Sequence, residues 1–399
     1  MSKLALYGGT PVRTEPFAAW PQWGQREEER LVEVLKAGQW GTLGDQAMAF
    51  AKRFAAFQDC EYGLAVNNGT QALEIALRAL GLGYGDEVIV PAYTFIATVS
   101  AVVACGITPV FADVDPLTFC LDAEDARRRI TPRTRAVIAV HYAGRPADMD
   151  AIMALAHEYG LKVVEDCAQA HGAAFRGRKV GSIGDVGAFS FQGTKNLACG
   201  EGGMIVTNSK EIYSECWHYH TSGRALEGAS ELGGVVLMGT NGRMAEWEAG
   251  ILDVQMDALP AQMALREENA RRLRDMLKGR EWLALPPEDP RITAHAYHLF
   301  TFVLKGNVLN LDRAAWLERV RAEGIPAEGG YAPLYQDEMF ASQGFKRMTM
   351  PPEVPCGPLA AVEAAEPWNV LLTQNMLLGT QRDLQDIVDA FDKVAEENA

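Results

Sequence analysis

EYGLAVNNGTQALEIALRALGLGYGDEVIVPAYTFIATVSAVVACG, residues 61–106, sets the architecture. YGLAV has the length and apolar character of a buried strand. QALEIALRALG follows, with apolar residues recurring at helical steps and a glycine at its end. The pattern then repeats, EVIVP leading into TFIATVSAVVACG. Working outward, TPVFADV, the helical DAEDARRRI, RAVIAVH, MDAIMALAHEYG and LKVVED extend the alternation to residue 166. Short apolar runs separated by amphipathic helices predict βαβ units, hence an α/β fold with a mostly parallel central sheet.

On either side the texture changes. Residues 1–24 carry Pro, Gly and Trp without periodicity and read as an extended arm. QREEERLVEVLKAG is a charged helix ending at Gly38, and a second helix spans 46–57. From 244 to 280 the pattern is helical throughout, with Pro260 predicting a break between two helices. After the turn-rich LPPEDPR come a strand (HAYHLFTFVL), a helix (DRAAWLERVRAEG), a proline-rich loop region and an amphipathic helix from 381. The expected division is an arm (1–24), a large α/β domain (25–245), bridging helices (246–280) and a smaller α+β domain (281–399).

A net charge of −15 opposes binding to nucleic acid and to anionic membrane surfaces. The seven cysteines are scattered without a C-x-x-C pair, which reads as reduced thiols and neither a disulfide frame nor a metal site. No apolar run approaches a signal peptide or a membrane span, so a cytoplasmic location is expected.

The chemistry concentrates in three places. Lys195 lies in GAFSFQGTKNLACGEGGMIVTN, residues 187–208, in a turn between the apolar runs 186–191 and 204–207, with glycines at 193, 200, 202 and 203. Asp166 closes LKVVED at the carboxyl end of a buried strand, where open α/β sheets bind ligands, while Glu165 alternates to the other face. Asn68, Gly69 and Thr70 stand where a strand hands over to a helix, a place that favours phosphate. Each has a plainer reading: a surface lysine in a glycine loop, a structural ion pair, a helix cap by Asn68 or Thr70. Phe95, or less readily Tyr93, has the chemistry to stack on a flat ring, although aromatics beside a sheet are more often core. Gln169 has the donors to reach a phenolic oxygen, and His171 reads as a buried polar residue. Together an amine nucleophile, a buried carboxylate and a phosphate cradle are what pyridoxal 5'-phosphate requires.

The series NGTQAL, PAYTFIAT, EDCAQAHGA, SFQGTKNL followed by GEGG, and GTNGRMAEWEAG resembles that of the StrS/DegT-type sugar aminotransferases, from about residue 8 to the C-terminus. The resemblance implies the aspartate-aminotransferase fold and pyridoxal 5'-phosphate. It makes Lys195 the Schiff-base lysine and Asp166 the partner of the pyridine nitrogen. Gln169 then touches the phenolic oxygen, Phe95 stacks on the ring, and Gly69, Thr70 and Ser190 hold the phosphate. Asn241 reaches the phosphate of the neighbouring subunit's cofactor, which implies a homodimer with shared active sites. Nucleotide-sugar members often carry His-Pro where this chain has Gln192-Gly193. That form, with WNVLLTQNMLLG, is closer to the ketocyclitol (scyllo-inosose) and aminobenzoate-synthase-like branches. The implied reaction moves an amino group from an amino-acid donor, glutamine or glutamate, to a keto-sugar or ketocyclitol. The alternatives are a nucleotide-diphosphate keto-sugar substrate, a lyase or aromatising enzyme on the same scaffold, and a non-catalytic cofactor-binding regulator. The last predicts a basic DNA-binding segment foreign to this acidic chain.

Overall fold

The computed structural model describes residues 3–41, 44–226, 234–348 and 356–397. Part of the proline-rich region expected in the C-terminal third lies outside them. Seven strands form the central sheet in the order Tyr62–Val66, Gly203–Thr207, Val186–Ser190, Lys162–Asp166, Thr134–Val140, Glu87–Pro91, Thr108–Ala112. All run in one direction except Gly203–Thr207, which is antiparallel to both neighbours. The reason is local. The segment between Val186–Ser190 and Gly203–Thr207 contains no helix to make a crossover, so the chain returns beside its own strand. Lys195 sits on that return. Every residue of Glu87–Pro91, Thr108–Ala112 and Val186–Ser190 is buried, as expected for strands covered on both faces.

Glu246–Leu277 is one continuous helix, and Pro260 lies inside it. This corrects the two bridging helices expected from the sequence. Pro260 is exposed, while Leu252, Leu259, Ala270, Leu273 and Leu277 on the packed side are each fully buried. Burial of that stripe outweighs the local cost of about 3 kcal/mol for a proline in a helix interior.

Beyond this helix a four-stranded antiparallel sheet is ordered Leu283–Ala284, Leu299–Leu304, Asn369–Thr373, Glu328–Gly329. Its core joins Phe302, Trp316 and Phe391, the last two with ring centroids 4.9 Å apart. The terminal amphipathic helix is Gln381–Glu396. The Tyr93 hydroxyl ties the two sheets together, accepting from the N–H of Tyr331 and from Asn369 Nδ2, each at 2.8 Å. Among the described residues no helix is long and apolar enough to cross a membrane.

Candidate active site

The carboxyl ends of the parallel strands open into a cleft of about 770 Å³. Gly69, Thr70, Phe95, Asp166, Gln169, Ser190 and Lys195 all lie in its wall, drawn from four separate stretches of chain. Asn241 does not. It is exposed, in a backbone bridge with Thr221, and the adjacent Gly242 carbonyl accepts from Asn67 N at 2.9 Å.

One end of the cleft is a helix start. Asn68 is extended and caps Gly69–Ala79, its Oδ1 accepting from Gln71 N at 2.8 Å, while Ala72 N bonds the Asn68 carbonyl. The N–H groups of Gly69 and Thr70 are left without a partner among the described residues. Those two donors and the positive helix end form an anion seat. Ser190 closes its other side, so near that a Cβ on Gly69 would come within 2.7 Å of the Ser190 Cβ.

The middle of the cleft holds Asp166. Only 6% exposed, it accepts from Thr98 Oγ1 at 2.7 Å and Ala168 N at 3.2 Å. Burial pushes its pKa up, against the opposing pull of Thr98, the Ala168 N–H and Lys195. A carboxylate so placed calls for a cationic partner, and a protonated pyridine nitrogen is one. Lys195 is half-buried, and burial drives its pKa down while Asp166 raises it. The net effect is an amine less basic than a free lysine, and so more readily deprotonated to the nucleophile.

Glu165 points to the opposite face, as its alternation predicts. It accepts from His141 Nε2 and from the N–H groups of Gly181, Ile183 and Gly184, at 2.7–3.0 Å. Those bonds make it a brace for the turn beneath the strand. Gln169 Oε1 accepts from Ala143 N at 2.7 Å and its Nε2 donates to the Tyr331 hydroxyl at 3.3 Å, which aims the side chain across the cleft. Phe95 is 52% exposed at the mouth, whereas Tyr93 is fully buried core. His171 is a buried polar residue, bonded through Nε2 to the Ser190 carbonyl. Gln192 Oε1 takes both the N–H and the hydroxyl of Thr194, so its oxygen braces the loop.

Three contributors escape a reading of the sequence. His298 and Tyr331 line this cleft and also a second, larger cavity that shares part of its wall. Trp20, from the N-terminal arm, donates its indole N–H to the Lys195 carbonyl at 3.0 Å. The only local signal was a histidine immediately before the apolar strand in HAYHLF.

The anion seat, the buried carboxylate and the amine are spaced along one cleft, and this donor set fits pyridoxal 5'-phosphate. The comparisons agree. Residues 21–353 match the model of the DegT/DnrJ/EryC1/StrS aminotransferase family. The chain is 36% identical to an L-glutamine:2-deoxy-scyllo-inosose aminotransferase of Streptoalloteichus tenebrarius, over 98% of this chain and 97% of that one. Among solved structures, an aminotransferase from Psychrobacter cryohalolentis superposes with a TM-score of 0.88 at 33% identity. A 3-amino-5-hydroxybenzoic acid synthase gives 0.87 at 31%. Each alignment covers 96% of this chain and 100% of the other. Matched along most of its length and built around a cleft that fits this cofactor, the chain belongs to the DegT/DnrJ/EryC1/StrS family and is a pyridoxal-phosphate-dependent aminotransferase.

Proposed function

We propose that the chain carries an amino group from glutamine to a free ketocyclitol of the scyllo-inosose type, with Lys195 and Asp166 as its catalytic residues. The observation that carries the substrate class is the shortage of free cations in the walls, which also hold the carboxylates of Glu15, Glu74, Asp166, Glu201 and Glu328. In the two cavities that share Thr194, His298 and Tyr331 the described cations are Lys195, Arg13 and Arg321. Arg13 is held by Asp383 and Asp386 at 2.7 and 2.9 Å, and Arg321 Nε is bonded to the Ala327 carbonyl. Arg224 and Arg243, the basic residues available to a nucleotide diphosphate, lie outside both cavities of their own chain, Arg243 lining another one. Gln169, Thr194, His298, Tyr331, Gln374 and Asn375 instead present uncharged donors and acceptors suited to ring hydroxyls. The names of the relatives supply the donor and the ring.

When bound, the cofactor supplies the electron sink and carries the amino group between the two substrates. The protein's part is to hold and move protons. Gly69, Thr70 and Ser190 fix the phosphate, and Phe95 covers the ring. Asp166, oriented by Thr98 and Ala168, keeps a proton on the pyridine nitrogen. Lys195 Nζ, made less basic by burial, binds the cofactor and then takes the proton from the substrate carbon and returns it. Gln169 anchors the phenolic oxygen.

Two experiments test this reading. Borohydride reduction and peptide mapping should place the cofactor on Lys195, and a label on another lysine ends the assignment. The kcat/KM for scyllo-inosose, with glutamine and then glutamate, should exceed that for a nucleotide keto-sugar. A preference of more than about a hundredfold for the nucleotide-linked compound overturns the substrate class.

We further propose a homodimer in which Asn241 serves the partner's cofactor, and a division at residues 245 and 281 on either side of the long helix. A cytoplasmic enzyme accords with the seven cysteines, all unpaired.

A further inference from the structure

We infer that His298 is a specificity-determining residue, whose unprotonated Nε2 accepts a hydrogen bond from a hydroxyl on the ring of the keto substrate. This deepens the ketocyclitol reading and rests on it. His298 precedes the strand Leu299–Leu304 and, with Thr194 and Tyr331, belongs to the wall of both cavities.

Its tautomer follows from its neighbours. Asn196 is completely buried, and its Nδ2 donates to the Ala296 carbonyl at 2.7 Å. That bond turns Asn196 Oδ1, which has no proton to give, toward His298 Nδ1 at 3.1 Å. Nδ1 must therefore carry the hydrogen, which leaves a lone pair on Nε2. No described residue donates to that lone pair, and it is not among the sealed-off polar atoms of the interior, so it faces the cavity. Burial first, then the nearby Lys195, holds the imidazole well below its usual pKa, so it stays an acceptor through the neutral range. Asn196 directly follows Lys195, so the acceptor is registered on the same loop as the reacting amine. A hydroxyl near a ketone undergoing amination is the donor this geometry suits.

Two substitutions separate recognition from bracing. His298→Asn keeps a donor for Asn196 and removes the cavity acceptor, whereas His298→Gln places an amide oxygen near the Nε2 position. The readout is the ratio of kcat/KM for scyllo-inosose to that for cyclohexanone, a ring ketone without hydroxyls. We expect the ratio to fall about ten- to a hundredfold in His298→Asn and to recover to within about threefold in His298→Gln. Calorimetry of the holoenzyme with scyllo-inositol, which cannot react, should show the same order of affinities. Equal losses for both ketones, with scyllo-inositol bound alike by all three proteins, make His298 a brace for the Lys195 loop and overturn the inference. If the unaltered protein aminates nucleotide keto-sugars but no free ring ketone, the function reading falls, and the inference falls with it.

Discussion

Gly69 and Ser190 face each other across the anion seat, proposed to take the phosphate, with no space for a methyl group between them. A Cβ at residue 69 would come within 2.7 Å of that of Ser190, so one of the two backbones must shift to admit it. The shift moves the N–H groups that receive the anion, not the apolar core. Gly69→Ala should therefore fold normally and hold the cofactor at least about tenfold more weakly, as losing one charge-assisted hydrogen bond implies. A cofactor titration followed by absorbance measures this, and an unaltered Kd places the phosphate elsewhere. Asp166 acts on rate instead. Asp166→Asn can keep the Ala168 N–H on its Oδ1 and donate from its Nδ2 to the Thr98 hydroxyl, but it removes the charge proposed to face the pyridine nitrogen. A loss of about 3 kcal/mol predicts a kcat roughly a hundredfold lower with the thermal midpoint little moved. A near-normal kcat returns Asp166 to a structural role. These residues were legible because each sits at a strand or helix terminus, where residue type and position together signal chemistry. His298 and Tyr331 were not, because they reach the cleft from more than a hundred residues downstream and only the folded chain brings them there.

Among the elements, the βαβ series read cleanly, since each strand is a short apolar run bounded by turn residues. The long helix was misread at one residue. Pro260 breaks the local rule, but what sustains Glu246–Leu277 is tertiary burial along one stripe, invisible to a rule about a residue and its near neighbours. The proline still removes the N–H that would bond the Met256 carbonyl. Pro260→Ala should restore that bond, and because the ring is exposed, no packing is lost. Recovered helix propensity of up to about 3 kcal/mol is partly offset by about 1 kcal/mol of added freedom in the unfolded chain. A net gain of about 2 kcal/mol is expected, seen as a thermal midpoint several degrees higher by calorimetry. A lower midpoint means the bend itself fits the helix between the two sheets.

The whole molecule carries two consequences that no single element does. Four histidines are held neutral by burial, His171 at a pKa of about 3 and His220 at about 4, with His295 and His298 well below the usual value. Their stabilising effect is complete above about pH 6.5. It is lost as pH falls toward the folded values, because the unfolded chain takes up protons that the folded one refuses. At pH 5 each site costs about 2 kcal/mol relative to pH 7. A buried acid with a raised pKa, such as Asp166, works in the opposite sense, so the comparison is best made with a variant. Urea unfolding should show the parent losing about 2 kcal/mol more than His171→Asn between pH 7 and 5. Parallel pH profiles contradict a neutral His171. The second consequence concerns two copies of the chain. Asn241 lies outside its own cleft, and Val235, Met238 and Trp247, close to it in sequence, are 69%, 91% and 42% exposed, apolar side chains of the kind a second subunit would cover. The competing possibility is also built in, since the Gly242 carbonyl bonds Asn67 of the same chain, one residue before the helix cap. Mixed dimers decide between them. Pairing Lys195→Ala with Asn241→Ala chains, each inactive alone, gives hybrids in which one site has both residues intact if Asn241 crosses over. With random two-fold pairing, recovery should approach about a quarter of the parent activity. If Asn241 serves its own chain, every site in the hybrid lacks one residue or the other, and verified hybrids stay inactive.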